Sequence, residues 1–453
     1  MDTLLKDDGD PRVMVARGQA EQAIEQRNQF STLSLKNVRC FNDVDIPLDQ
    51  RLTVIIGENG TGKTTIAEAM ASLSFGDEEG LRDFPLRRGQ RTGHIALSAS
   101  ERSTPLAIWR HGGRYPKRQR LPENRYLLAY GRYRRVHNPE TWEPADPSAS
   151  VAPDAVSLLD ELAAAVFEHR TTTLHRPDGR LLHDLSRYLV AIHHGRSFDP
   201  LMESIWERLQ ASLQSLHQGL ERIDMVRGET AYIPMVVRRG MRLGINELSD
   251  GYQAILVIIF DLILRYAYLF NTLDNPLAGN ATVLIDEVDL HLHVRWQRTV
   301  LRQLTTLFPG TQFIVTTHSP AVVQGALDDR HPIIVLREQR GAVQAVPLSV
   351  RSRKRLQGAS IGSLFVEKLL FGADSRYSVH VQSDEEEVHR LRRKVESGHA
   401  DAADRKRLMQ LVNRLESLTA TDAERHGEGL LMAEMGKLQH AFLQELAAEL
   451  EQR

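Results

Sequence analysis

One octapeptide, Gly57-Glu58-Asn59-Gly60-Thr61-Gly62-Lys63-Thr64, limits what this chain can become more than any other stretch. It has the spacing G-x-x-x-x-G-K-[ST]. The run before it, Leu52–Ile56, is short, apolar and β-branched, and it reads as a buried strand; Thr64–Leu73 after it reads as a helix. A glycine loop between a strand and a helix lets the backbone wrap a phosphate, with successive N–H groups and the helix N-terminus supplying positive potential. In that layout Lys63 reaches the β- and γ-phosphates and Thr64 ligates Mg²⁺. Asn59, Gly60, Thr61, Gly62 and Thr65 complete the expected cradle for ATP.

A second motif supplies the acids such a loop needs. Val283-Leu284-Ile285-Asp286-Glu287 is an apolar strand ending in two carboxylates. Acids at the end of a buried strand are costly without a cation or strong donors. Asp286 is therefore expected to hold Mg²⁺, and Glu287 to polarise an attacking water as general base.

The remaining pattern is that of an α/β protein. Strand-like segments recur at Leu33–Val38, Val44–Leu48, His94–Leu97, Arg125–Ala129, Thr282–Ile285, Gln312–Thr316 and Ile333–Leu336, with a helix around Trp296–Leu307. The later ones read as units of a mainly parallel sheet. The expected organisation is an extension (1–29), an N-terminal part of a nucleotide-binding head (30–137), a linker and helical insertion (138–230), a C-terminal part of the head (231–350) and a helical extension (351–453). Residues 155–223 read as helices without sustained heptads, too short for a long coiled-coil arm. The net charge of −2 gives no global cue to nucleic acid, and a single cysteine, Cys40, excludes an internal disulfide and any zinc site built on several cysteines. The greasiest run, Ala254–Leu264, contains Asp261 and falls short of a bilayer span. A protein of the reducing cytoplasm, away from membranes, is expected.

Two further segments narrow the reading. Glu247-Leu248-Ser249-Asp250-Gly251-Tyr252-Gln253 opens a long apolar helix, and Phe313-Ile314-Val315-Thr316-Thr317-His318-Ser319-Pro320 is a strand ending in histidine. The order of phosphate loop, Leu-Ser-x-Gly, Asp-Glu and strand-His resembles the head of an ABC-type ATPase. The wording of Leu33–Phe41, Ile56–Gly60, Asp286–His293 and Thr316–Pro320 resembles the SMC/RecF/OLD group, and within it the stand-alone ATPases of bacterial anti-phage systems, such as PtuA of Septu. The resemblance covers residues 30–380 and implies an α/β ABC head with a mainly parallel sheet, an antiparallel N-terminal lobe, a helical insertion and a helical C-terminal extension. It implies a homodimer or higher homo-oligomer around ATP, in which Ser249 and Gly251 contact the γ-phosphate held by the sister subunit. Asp289 then lies in the loop between the two sites and His318 senses the γ-phosphate. It also implies a separate effector, such as an HNH nuclease. A RecF-like repair ATPase and an ATP-bound assembly scaffold with little turnover are the alternatives.

The sequence departs from that family pattern in places. Asp250 stands where a Gly or Ser is usual, and neither Gln90 nor the segment after Tyr130 makes a convincing Q-loop. His291 and His293 alternate as metal ligands might be spaced, without a third partner. Arg39 and Phe41 are placed to stack on adenine, or to belong to the fold. Cys40 reads as packing. Asp384-Glu385-Glu386-Glu387 reads as a helix cap. Residues 82–135 carry 14 Arg and Lys against three acids, with interleaved aromatics, densest around Arg114, Lys117, Arg118 and Arg120. That surface suits a DNA backbone, and it suits equally pairing with acidic surfaces of the same protein or of a partner. Leu431, Met435, Leu438, Phe442, Leu446 and Leu450 form one apolar helical stripe that needs a cover.

Overall fold

The computed structural model describes residues 29–73, 85–99, 105, 107–111, 117–118, 125–132, 174, 185–197, 199–215, 219–228, 232–339, 341–368, 370–371, 379–397 and 399–419. Two units separate, Met1–Gly372 and Ala373–Arg453.

In the first unit, β1 (Phe30–Val38) and β2 (Phe41–Pro47) form a hairpin. Next comes β3 (Leu52–Gly57), buried at all of its residues, then the glycine loop and α1 (Lys63–Ser72). β4 (Gly93–Ala99), β5 (Ala107–His111) and β6 (Lys117–Arg118) extend the hairpin into an antiparallel sheet of order β2-β1-β4-β5-β6. β7 (Leu127–Tyr130) leaves that lobe for the main sheet. Two helices follow, α2 (Leu185–Gly195) and α3 (Pro200–Ser215). The helical reading of 155–223 ends early, because Leu220 already opens a strand. β8 (Leu220–Arg227), β9 (Tyr232–Arg238) and β10 (Met241–Gly244) make a separate three-stranded antiparallel sheet. Gly219 and Gly240, both at positive φ, stand where that sheet starts and turns.

The main sheet takes its remaining strands from β11 (Thr282–Ile285), β12 (Gln312–Thr317), β13 (Ile333–Gln339) and β14 (Ala342–Pro347). Its order is β14-β13-β3-β12-β11-β7, parallel except for the β13–β14 hairpin at the edge. Between these strands lie α4 (Asp250–Leu269), α5 (Val294–Gln297), α6 (Val300–Leu307) and α7 (Pro320–Asp328), with α8 (Val350–Leu356) and α9 (Ile361–Val366) after the hairpin. The fold is thus the α/β arrangement expected, with a mainly parallel sheet and an antiparallel N-terminal lobe. The single helix expected around 296–307 is two, separated at Arg298–Thr299.

Both faces of the parallel sheet are buried, so its central strands carry continuous apolar runs, such as Val54–Ile56, Val283–Ile285 and Phe313–Val315, rather than alternating ones. Val54, Ile56, Val283, Ile285, Phe313 and Val315 point into a core shared with α3, α4 and α6. Ile55, Leu284, Ile314 and Ile334 point the other way, onto Ile66 and Met70 of α1 and onto Leu33 and Leu35 of the antiparallel lobe. Each large side chain buried this way is worth roughly 1.5–3 kcal/mol. In a parallel sheet every strand also delivers its carboxyl end to one edge, where the site is built.

The longest helix among the described residues of this unit, α4, is long and apolar enough by composition to cross a bilayer, yet Ala254–Ala267 is buried within the protein. Its two buried charges, Asp261 and Arg265, neutralise each other. Arg265 Nε donates to Asp261 Oδ2 at 2.7 Å, and the Tyr130 hydroxyl donates to the same oxygen at 2.5 Å. Burial, then the charge of Asp261, pushes the Tyr130 phenol well above its ordinary pKa, so it stays a donor.

The described residues of the second unit form a helical pair, α10 (Val379–Glu396) and α11 (Ala402–Thr419). It is closed by Val388, Leu391 and Leu411 and by ion pairs Lys394–Asp404 and Arg407–Glu387. Residues 1–28 of the expected extension, residues 138–173 of the expected linker and helical insertion, and the apolar stripe from Leu431 to Leu450 lie outside the described residues.

The buried Asp261–Arg265 pair gives a direct stability test. Asp261→Ala leaves the Arg265 charge buried without its carboxylate and should cost about 3–5 kcal/mol. Replacing both by apolar residues of similar volume should recover most of that loss. Denaturant unfolding of the two variants beside the parent checks the contrast.

Candidate nucleotide site

The glycine loop leaves β3 at Gly57 and turns into α1 through Gly62, whose φ of +94° lies in the left-handed region. A Cβ at Gly62 would also stand 2.5 Å from Cys40 Sγ and 2.8 Å from the Phe41 ring. Only glycine fits both the conformation and the space. Lys63, the first residue of α1, curls back over the loop, its ammonium donating to Gly57 O at 2.7 Å and Glu58 O at 2.8 Å. Burial lowers the Lys63 pKa, while Asp286, Glu287 and Asp289 act in the opposite sense. Three carboxylates from one strand end and its following loop therefore act electrostatically on this ammonium. Thr61 turns its hydroxyl onto Glu58 O at 2.8 Å, and the Thr65 hydroxyl accepts from Arg39 at 3.3 Å. Asn59 is exposed at the loop tip.

Asp286 is the most constrained acid of the site. It follows the last residue of β11 and is 2% exposed. Its backbone N–H donates to Tyr130 O on β7 at 2.8 Å. One carboxylate oxygen accepts from Thr64 at 2.8 Å and the other from Thr316 at 2.5 Å. The Thr64 hydroxyl and this carboxylate, 222 residues apart in sequence, form a pair of hard oxygen donors at the end of the glycine loop. That donor set suits Mg²⁺, which takes one or two protein oxygens and fills its octahedron with water and substrate phosphates. Thr64 and Asp286 would hold it.

The next residue, Glu287, is half-buried, with φ of +51°, and its backbone N–H donates to Thr316 Oγ1 at 2.8 Å. A glutamate held at positive φ is unusual, and such conformations concentrate at functional sites. Thr316 thereby fixes two acids, accepting from the Glu287 amide while donating to the Asp286 carboxylate. Its role was not read from the sequence, where it appeared only as strand. His318, directly past β12, is half-buried. Burial first, and then the Lys63 charge, hold its pKa below the ordinary histidine value, so the ring is neutral at pH 7.

The Ser249–Gly251 segment begins α4. Ser249 is its N-cap residue, is exposed, and makes no side-chain capping bond. Asp250 occupies the first turn, where an acid meets the helix dipole favourably. Gly251 lies against the loop of Asp289; a Cβ there would stand 2.4 Å from His291 O. The glycine is required by this close approach, and His291 itself has φ of +62°. His293 caps α5 by accepting from the Arg295 amide at 3.3 Å. Among the described residues no group of three or more His, Cys, Asp and Glu is placed to hold a metal.

Phe41 is fully buried in the core beneath the glycine loop, so it cannot stack on a base. Arg39 has φ of +45°, and its guanidinium pairs with Glu68 on α1. The hairpin turn thus braces the first turns of α1. Cys40 lies at the same place, its thiol pushed up in pKa by burial. The segment after Tyr130, where a Q-loop was sought, follows a strand of the main sheet. β7 is the parallel neighbour of β11, so its carboxyl end, Gly131-Arg132, follows Tyr130 beside Asp286. Arg132 is close enough to act on the ionisation of Glu68. The sequence offers no pattern for that residue, because its place depends on which strand neighbours β11. Of the basic cluster, Lys117 and Arg118 form β6, while Arg114 and Arg120 lie outside the described residues.

Comparison with known proteins is consistent with this geometry. The chain is 35% identical over 127 residues to the Retron Vc95 probable ATPase of Vibrio cholerae serotype O1 biovar El Tor, covering 28% of this chain and 24% of that protein. It is 23% identical over 357 residues to the Septu protein PtuA of Bacillus mycoides (strain KBAB4), covering 76% and 45%. It is 24% identical over 374 residues to the Retron Ec83 probable ATPase of Escherichia coli, covering 65% and 69%. The chain spans less than half the length of the first two of these relatives. Residues 52–324, more than half of the chain and all of the motifs just described, match the family described as AAA domain, putative AbiEii toxin, Type IV TA system, and the protein belongs to that family.

Proposed function

We propose that this protein is a Mg²⁺-dependent ATPase of the ABC type, working as a dimer closed around ATP and controlling a separate effector in anti-phage defence. The observation that carries the reading is the Thr64–Asp286 hydrogen bond at 2.8 Å, which joins the glycine loop to the acidic strand end. An oxygen pair at a phosphate-binding loop serves a metal nucleotide.

In this reading the loop N–H groups and Lys63 bind the β- and γ-phosphates. Mg²⁺ on Thr64 and Asp286 would neutralise charge on the phosphate oxygens. Glu287 accepts a proton from the attacking water as the water oxygen bonds to the γ-phosphorus. The bond from that phosphorus to the β–γ bridging oxygen breaks, releasing ADP and phosphate. His318, neutral at pH 7, is available to hydrogen-bond the γ-phosphate. ATP as substrate sets the work in the cytoplasm.

Dimerisation is supported by the exposure of Ser249 and Asp250 at the start of a helix that is otherwise buried. A sister subunit's nucleotide is the natural partner for a serine hydroxyl, helix N-terminal amides and an adjoining loop. The effector is supported by the Septu and retron relatives, whose similarity makes a nuclease, of HNH type for instance, the partner to seek.

Two experiments test the proposal. Lys63→Ala should abolish nucleotide binding, whereas Glu287→Gln should keep binding and lose about 10²–10⁴-fold in turnover, the usual size of a general-base contribution. Equilibrium nucleotide binding and phosphate release measure the two effects separately, and parental turnover in Glu287→Gln would rule out that residue as the base. For the dimer, Lys63→Ala and Ser249→Arg chains are each expected to be inactive. Mixed together they should regain activity through the one composite site that keeps both native elements. No recovery after proven subunit exchange would count against sites built in trans.

A further inference from the structure

Two loops that act on the nucleotide site, 289–292 and 317–319, are joined by a closed ring of side-chain hydrogen bonds. The Thr317 hydroxyl donates to Asp289 Oδ1 at 2.5 Å. The same hydroxyl accepts from the Ser319 amide at 2.9 Å. Ser319 donates through its hydroxyl to Gln297 Oε1 at 2.6 Å. Gln297 returns to the first loop, its Nε2 donating to Leu292 O at 2.8 Å and more weakly to Asp289 O at 3.3 Å. The ring runs Asp289, Thr317, Ser319, Gln297 and back to Asp289, and His318 sits between two of its members. Thr317 and Ser319 are buried, so these bonds are shielded from water.

The short helix that carries Gln297 reaches a third element. Trp296, 5% exposed, packs edge-on against Tyr252 with ring centroids 4.5 Å apart. Arg238 lies over the Tyr252 ring, 4.7 Å from its centroid. Tyr252 directly follows Gly251, which itself rests on His291 O. Adjacent residues of α5 therefore hold the Ser249–Gly251 segment through an aromatic contact and the two loops through an amide. An amide suits this position because one group must accept from a hydroxyl and donate to two carbonyls, which neither a carboxylate nor an ammonium does.

We infer that Gln297 is a positioning residue that makes the Asp289 loop and the His318 segment move as one unit. A change at His318 is passed to Asp289, and, through Trp296 and Gly251, to the Ser249 segment. This rests on the proposed ATPase reading and adds to it a route by which γ-phosphate sensing reaches the dimer-facing surface. Gln297 touches none of the reacting atoms and works only through the segments it ties.

The test compares the full-length parent with Gln297→Leu, which keeps length but removes the amide. Three measurements are made on each: equilibrium binding of ATP, steady-state turnover with kcat and KM separated, and backbone hydrogen exchange. Affinity should stay within about twofold and kcat should fall about 10- to 100-fold, the scale of a misplacement of about 1 Å at a reacting centre. Exchange should rise together in 289–292 and in 318–322, with the remainder of the main sheet unchanged. Should Gln297→Leu fail to fold, Thr317→Val cuts the ring on its other side and should show the same joint loosening, which Thr317→Ser should prevent. Loosening confined to one loop, or parental kcat with both loops loosened, would overturn the inference. Failure of the ATPase reading shows differently: the parent itself would not hydrolyse ATP, or Glu287→Gln would match it, while the exchange result would still report whether the ring joins the loops.

Discussion

The site depends on one buried carboxylate. Asp286 is taken out of water at the end of an apolar strand, a placement that costs several kcal/mol for an ion without compensation. Compensation comes from Thr64 on one oxygen and Thr316 on the other, while the residue's own amide donates to the Tyr130 carbonyl on β7. Each partner sits on a different element. These bonds form together only when the glycine loop, the β12 strand end and the β7–β11 pairing are all in place. The arrangement of the head around its nucleotide site is in that sense conditional on the solvation of a single side chain.

The same economy of groups recurs around it. Thr316 serves both acids, one through its hydroxyl proton and the other through its lone pair. Thr317, the next residue along the strand, faces the Asp289 loop with the same donor–acceptor logic. Strand alternation makes this possible. Adjacent residues at the end of β12 point to opposite sides, so two threonines address two loops. His318 then emerges between segments that are already fixed, and its neutral ring follows from that burial and from the nearby Lys63 charge.

The apolar bulk of the head explains why such a site can be rigid. The six-stranded sheet is covered on both faces, and α4 runs beneath it as a core helix whose internal charges are paired. Tyr130 connects the two levels: its carbonyl holds the Asp286 amide while its hydroxyl holds Asp261 within α4. The helix that follows Ser249 is therefore anchored to the strand that neighbours the acidic one.

The sequence alone determined those features whose physics is local. The glycine spacing before Lys63, the apolar run ending in Asp286 and Glu287, and the strand ending at His318 are short patterns with only a few conformations open to them. They made the α/β class, the parallel sheet and the candidate nucleotide residues legible. Tertiary structure decided whatever rests on which elements become neighbours. Phe41 looked available to a base until the core closed over it. Arg132 gained its place only because β7 pairs with β11, and residues 220–223 became strand because β9 was there to pair with them. Gln297 carries no motif at all. Its importance comes from three partners up to 22 residues away, which only the packing of α5 against the Asp289 loop and the start of α7 brings within hydrogen-bond reach.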